Sequence, residues 1–188
     1  MPNLIAIGGQ PAVGKTTLVK RFFTEYDPWK SFKYKKLYGH FNEELNLIIL
    51  GKYTKSEMFS GTDKLSMAVQ PDFEEFLDLR DLEYNVLFEG DRLFNLKALK
   101  KAKELMDIPF AKTLDLHVFV VESVHTKERH IDRNDSQSEK FIKGRVTKVN
   151  NIKNWLHDDY TILINNEEED IEKNFNILLD TIRKDNNV

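Results

Sequence analysis

Leu4-Ile5-Ala6-Ile7-Gly8-Gly9-Gln10-Pro11-Ala12-Val13-Gly14-Lys15-Thr16-Thr17 joins a short apolar run to a loop bounded by glycines. Beyond it Leu18, Val19, Phe22 and Phe23 recur at helical spacing, up to about Tyr26. Strand, loop and helix in that order are the context in which Gly9-x-x-x-x-Gly14-Lys15-Thr16 reads as a phosphate-binding loop. Glycines let successive backbone N–H groups curl around an anion, and the following helix adds its positive end. On this reading Gly9, Gln10, Pro11, Ala12, Val13, Gly14, Lys15 and Thr16 cradle the phosphates. Lys15 is expected to reach the β- and γ-phosphates, and the Thr16 hydroxyl to bind Mg²⁺. Thr17 either touches the α-phosphate or only opens the helix.

Working outward, Asp27-Pro28 ends the first helix, and the runs 36–41 and 45–50, joined by Asn42-Glu43-Glu44, predict a hairpin. Residues 51–70 lack periodicity and read as an excursion over the surface. A helix is predicted over 72–82 and a buried strand over 84–88. A Lys-rich helix through Leu96, Leu99, Ala102 and Met106 is closed by Pro109, and a second buried strand follows over 114–121. Residues 123–158 are charged and helical in pieces, 161–164 form a last strand, and Ile171, Phe175, Leu178 and Ile182 stripe a closing helix. The acidic run 167–170 suits the first turn of that helix, where negative charge favours the dipole. Alternating strands and helices predict an α/β three-layer sandwich of the P-loop kinase type. Its mostly parallel sheet is flanked by helices, with an added β-hairpin and loop region and a helical lid at about 123–158. A chain of 188 residues fits one such domain.

The formal charge of −3 gives no global attraction to polyanions, so such binding would need local basic patches. The absence of cysteine excludes disulfides, thiolate metal sites and cysteine nucleophiles, and fits the cytoplasm. The run 4–7 is too short for a signal-peptide core, and no stretch reaches the ~20 apolar residues of a membrane helix. A soluble protein without a membrane partner is expected.

A phosphate loop also needs an acid near its metal, at the end of a neighbouring strand. Val86-Leu87-Phe88-Glu89-Gly90-Asp91-Arg92 offers Glu89 and Asp91, either of which would bind Mg²⁺ through water or accept a proton. Asp63, in Gly61-Thr62-Asp63-Lys64, is the leading general base for an acceptor hydroxyl, with a simple turn cap as the alternative. Arg129, Arg133 and Arg145 are placed as lid residues that would stabilise charge on a transferred phosphoryl group, or as a solvated helical face. Asn165-Asn166 stands either beside a nucleotide base or in a capping turn. No Asn-Lys-x-Asp guanine signature is present, which argues against a GTPase switch.

Three segments together resemble the 5-hydroxymethyluracil DNA kinases of bacteriophages. They are residues 4–9 leading into the loop, Phe59-Ser60-Gly61-Thr62-Asp63-Lys64-Leu65-Ser66-Met67-Ala68-Val69-Gln70-Pro71, and Phe88-Glu89-Gly90-Asp91-Arg92-Leu93. The resemblance covers the N-terminal half best. It implies transfer of the γ-phosphate of ATP to the hydroxymethyl group of 5-hydroxymethyluracil in DNA, with ATP and Mg²⁺ required and DNA carrying the modified pyrimidine as partner. The residues add Lys30, Lys33, Lys35 and Lys36, interleaved with Trp29, Phe32 and Tyr34, as phosphate contacts and base-stacking rings or as a half-exposed strand. Tyr53, Phe59 and Met67 are candidates to line a pocket for a flipped base, or core residues. The competing expectation is a kinase of a free nucleotide, nucleoside or other small metabolite.

Overall fold

The computed structural model describes residues 2–54, 60–79, 83–106, 114–132 and 138–184. Within these, strand β1 (Asn3–Gly9) is buried along its whole length and is an interior strand of a seven-stranded sheet. Its neighbours are β5 (Asn85–Glu89) on one side and β6 (Asp115–Glu122) on the other, both parallel to it. Parallel strands β4 (Leu47–Leu50) and β7 (Thr161–Ile164) extend the two flanks. The hairpin predicted from 36–41 and 45–50 is present as β3 (Leu37–Asn42) against β4, and β2 (Lys30–Tyr34) adds a further antiparallel strand at the edge. The order β2-β3-β4-β5-β1-β6-β7 is therefore mostly parallel, as the alternating pattern requires.

Period-two alternation sorts the apolar side chains of β1 between two cores. Leu4 and Ala6 join Phe73, Phe76, Leu99, Ile152 and Leu156, contributed by α2 (Gln70–Leu77), α3 (Leu96–Met106) and α5 (Glu139–Leu156). Ile5 and Ile7 join Leu18, Val19, Phe22, Phe175, Leu178 and Ile182 from α1 (Lys15–Glu25) and α6 (Glu168–Arg183). Helices thus cover both faces, giving an α/β sandwich. The run 167–170 does open α6, where Glu167 and Asp170 form a reciprocal capping box. Residues 123–158, expected to form a lid, contain α4 (Thr126–Asp132) and α5, separated by residues outside the described set. Among the described residues no helix is long and apolar enough to cross a membrane.

Two expectations change. The segment 51–70 is not a surface excursion throughout: Ser60, Thr62, Leu65 and Val69 are buried. Paired hydrogen bonds between Lys52 and Gly61 (3.1 and 2.9 Å) and one from Thr62 Oγ1 to the Glu89 carbonyl (2.7 Å) pull it onto the strand ends. The helix predicted over 72–82 begins two residues earlier, because Pro71 is tolerated in the first turn, where no N–H is needed, and it ends at Leu77. Pro109 and Phe59 lie outside the described residues.

Candidate functional site

After β1 the chain goes to the β4 side of the sheet, whereas after β6 it goes to β7 on the other side. The crevice between the carboxyl ends of β1 and β6 is thus the switch point at which α/β sheets bind ligands. Loop 10–14 lies there. Gly14 takes φ 94°, and a Cβ at this position would stand 2.2 Å from the Asn165 amide nitrogen, so only glycine fits. The first turn of α1 carries no acidic residue, and its N-cap makes no side-chain hydrogen bond, which leaves the positive helix end for an anion. Lys15 Nζ bends back to donate to the carbonyls of Gly9 (3.0 Å) and Gln10 (2.7 Å), so its ammonium sits over the loop. Thr17 is exposed.

The carboxyl end of β5 supplies the acid. Pairing of Ile7 with Glu89 sets the carboxyl beside the start of the loop, where the Thr16 hydroxyl donates to Glu89 Oε1 at 2.9 Å and the Tyr53 hydroxyl to the same oxygen at 3.4 Å. Glu89 is 2% exposed. Burial pushes its carboxyl up to about 7, against the opposing influence of the Lys15 charge and of the Thr16 hydrogen bond. Burial, then the Glu89 charge, raises the Tyr53 phenol well above its usual range. A hydroxyl and a desolvated carboxyl this close to a lysine fit a divalent cation, which would supply the positive charge that Glu89 lacks. Among the described residues no three His, Asp or Glu side chains cluster around a common point. Mg²⁺ commonly binds one or two protein oxygens and completes its shell with phosphate and water.

Gly61, at φ 89°, brings the next segment against this acid, for a Cβ there would meet Glu89 Oε1 at 2.3 Å. Asp63 follows on the short 3₁₀ turn Thr62–Lys64. Its Oδ1 accepts the Arg92 backbone N–H (2.9 Å), and its carbonyl accepts from the Arg92 guanidinium (3.2 Å). Water reaches the residue, yet protein packed around the carboxyl, and then the Asp91 charge, raise its affinity for a proton; the Arg92 N–H and Lys15 oppose this. Asp63, Glu89 and Lys15 therefore share one field. Asp91, one turn along, is engaged differently: Oδ2 lies 2.9 Å from Arg145 Nε and Oδ1 3.5 Å from Lys148 Nζ.

On the far side of the loop, Arg129 of α4 donates to the carbonyls of Val13 (3.4 Å) and Asn166 (3.1 Å). Asn165 donates to the Val13 carbonyl at 2.6 Å, and Asn166 accepts the Val124 N–H at 3.0 Å. The asparagine pair thus ties the loop to the turn after β6 and also stands in the capping turn of α6, one of its two expected roles, where the Asn166 N–H donates to Asp170 Oδ2 at 2.9 Å. Between these parts a cavity of about 250 Å³ is lined by Gly9, Val13, Val121, Glu122, Asn150 and Asn166, among others. Arg133 lies outside the described residues. No protein-family model matches this chain, and no curated protein matches it.

The basic segment is arranged differently from the stacking expectation. Phe32 and Tyr34 point inward, with ring centroids 5.5 and 5.6 Å from that of Phe76, because this face of β2 is covered by α2. Trp29 packs on Phe23. Lys30 pairs with Glu43 and Lys35 with Glu75. Of the pocket candidates, Tyr53 reaches Glu89 and Met67 is 82% exposed. Sequence reading missed Lys148, although its i, i+3 spacing from Arg145 on a helix was the available signal.

Proposed function

We propose that this chain is an ATP-dependent phosphotransferase of the P-loop kinase type, with an alcohol as acceptor. The observation that carries the reading is the contact between Thr16 Oγ1 and the buried Glu89 carboxyl at 2.9 Å, which joins the phosphate loop to the acid strand beside Lys15. Lys15 binds the β- and γ-phosphates and follows the charge as the phosphoryl group moves. Thr16 and Glu89 would hold Mg²⁺, which when bound would neutralise charge on the phosphate oxygens. Asp63 takes the proton of the acceptor hydroxyl: its raised proton affinity suits a base, and no partner is seen on its Oδ2 among the described residues. Arg129, across the loop, adds positive charge near the phosphates.

The acceptor is 5-hydroxymethyluracil in DNA, an assignment that rests on the resemblance of residues 59–71 and 88–93. A free nucleoside, nucleotide or small metabolite is the second reading, favoured by the inward packing of Phe32 and Tyr34 and the pairing of Lys30 and Lys35, which leave less surface to grip a strand. Incubation with γ-labelled ATP, Mg²⁺ and DNA containing 5-hydroxymethyluracil, with thymine DNA and free nucleosides alongside, separates the two. Label on the modified base in DNA alone supports the first, label on a free nucleoside the second. Nucleotide bound without transfer to any acceptor in a broad panel of alcohols would overturn the assignment of a kinase.

A further inference from the structure

Of the two acids after β5, Asp91 carries both of its carboxylate oxygens on cations of one helix. Arg145 Nε meets Oδ2 at 2.9 Å, Lys148 Nζ meets Oδ1 at 3.5 Å, and Lys148 also donates to the Asp91 carbonyl at 2.7 Å. The three side chains are each about one-quarter to one-third exposed, so solvent screens them only in part. Burial pulls the Lys148 ammonium down while Asp91 holds it up. The Arg145 guanidinium in addition covers the Phe141 ring at 4.6 Å. Downstream, Val149, Ile152 and Leu156 anchor α5 in the core, whereas the stretch from Glu139 to Thr147 has no fully buried residue. The Asp91 contacts therefore hold the N-terminal half of α5 beside the site.

A carboxylate with each oxygen already facing a cation is a poor ligand for Mg²⁺, because its charge is already neutralised and the two side-chain cations repel the ion. Among the described residues, the hydrogen bonds that Glu89 receives in the same neighbourhood come from the Thr16 and Tyr53 hydroxyls. Resting on the phosphotransferase reading of this site, we infer that Asp91 is a positioning residue that holds Arg145 and Lys148 of α5 next to the transferred phosphoryl group, and that the metal belongs to Thr16 and Glu89.

The test compares Asp91→Asn, Glu89→Gln and Arg145→Gln with the unaltered protein in three readings. These are amide hydrogen exchange of residues 139–148, the Mg²⁺ dependence of binding of a fluorescent ATP analogue, and kcat against the KM for ATP. Asp91→Asn and Arg145→Gln are expected to speed exchange in 139–148 and to lower kcat by about tenfold or more with the KM for ATP nearly unchanged. Asp91→Asn leaves the Mg²⁺ half-saturation within about twofold, whereas Glu89→Gln raises it by about tenfold. The double variant Asp91→Asn with Arg145→Gln is expected to be no worse than the weaker single variant. A tenfold rise in Mg²⁺ requirement for Asp91→Asn would overturn the inference, and so would faster exchange with kcat unchanged, since Asp91 would then be only a structural tie. If the unaltered protein binds nucleotide but transfers to no acceptor, the phosphotransferase reading fails. The exchange and Mg²⁺ readings still decide where Asp91 acts.

Discussion

The two halves of the candidate site are built in opposite ways. The proposed phosphate loop is one contiguous stretch, residues 9–16, shaped by its own glycines and by the start of α1. The acid half is collected from four separated places: Tyr53, Gly61 to Asp63, Glu89 to Arg92, and Arg145 with Lys148. A contiguous half needs little beyond local backbone geometry, so its chemistry can be removed without disturbing its shape. An assembled half depends on the packing that brings its parts together.

Substitutions can break this contrast, and the largest effect is expected in the contiguous half. Lys15→Ala should lower phosphoryl transfer by about a thousandfold or more. Its thermal midpoint should stay near that of the unaltered protein, because the hydrogen bonds from the ammonium to the Gly9 and Gln10 carbonyls lie within the loop. A collapsed midpoint would show that the loop is not self-supporting. In the assembled half, Asp63→Asn should reduce kcat by about a hundredfold or more while leaving nucleotide affinity intact. Equal losses in both, measured by transfer kinetics and by binding, would reduce Asp63 to the cap of its turn.

Glu89, where the halves meet, gives the next effect through pH. Burial lifts its carboxyl to about 7, whereas an unfolded glutamate titrates near about 4.3. The folded protein therefore keeps a proton that the unfolded chain releases. Its contribution to stability is full below the unfolded value and is lost as pH rises through about 7, for a total of about 4 kcal/mol. Denaturant titrations from pH 4.5 to 8 without Mg²⁺ should show that decline, and Glu89→Gln should flatten it; an unchanged slope in the variant would assign the decline elsewhere. The smallest effect sharpens the contrast: Asn165→Ala removes the 2.6 Å bond to the Val13 carbonyl and should cost about 1–2 kcal/mol in urea unfolding. A loss within 0.5 kcal/mol, about the scatter of neutral surface changes, would make the loop independent even of this distant tie.

The same contrast explains what could be read from the chain. The strand at residues 4–7, the hairpin, β7 and the acidic start of α6 were legible because each is written in local periodicity or composition. Glu89 was legible because it ends an apolar strand. Which carboxylate faces which cation was not, since Arg145 and Lys148 lie more than fifty residues from Asp91 and only the packing of α5 brings them there. Residues 60–69 read as surface because they lack periodicity, yet the burial of Ser60, Thr62, Leu65 and Val69 comes with the Lys52–Gly61 pairing and the Thr62 hydroxyl bond, neither of which has a sequence period. The alternating Lys and aromatic residues of β2 identified a strand face correctly, but which set turns inward is decided by α2, some forty residues later.

The most direct test of the account is a crystal structure of the protein with Mg²⁺ and a non-hydrolysable ATP analogue. The triphosphate should lie along residues 9–16 with Lys15 at the γ-phosphate, and the metal about 2.0–2.1 Å from Thr16 Oγ1 with Glu89 directly or through one water beyond it. A triphosphate bound away from the loop, or a metal held by Asp91 with Glu89 turned aside, would contradict it.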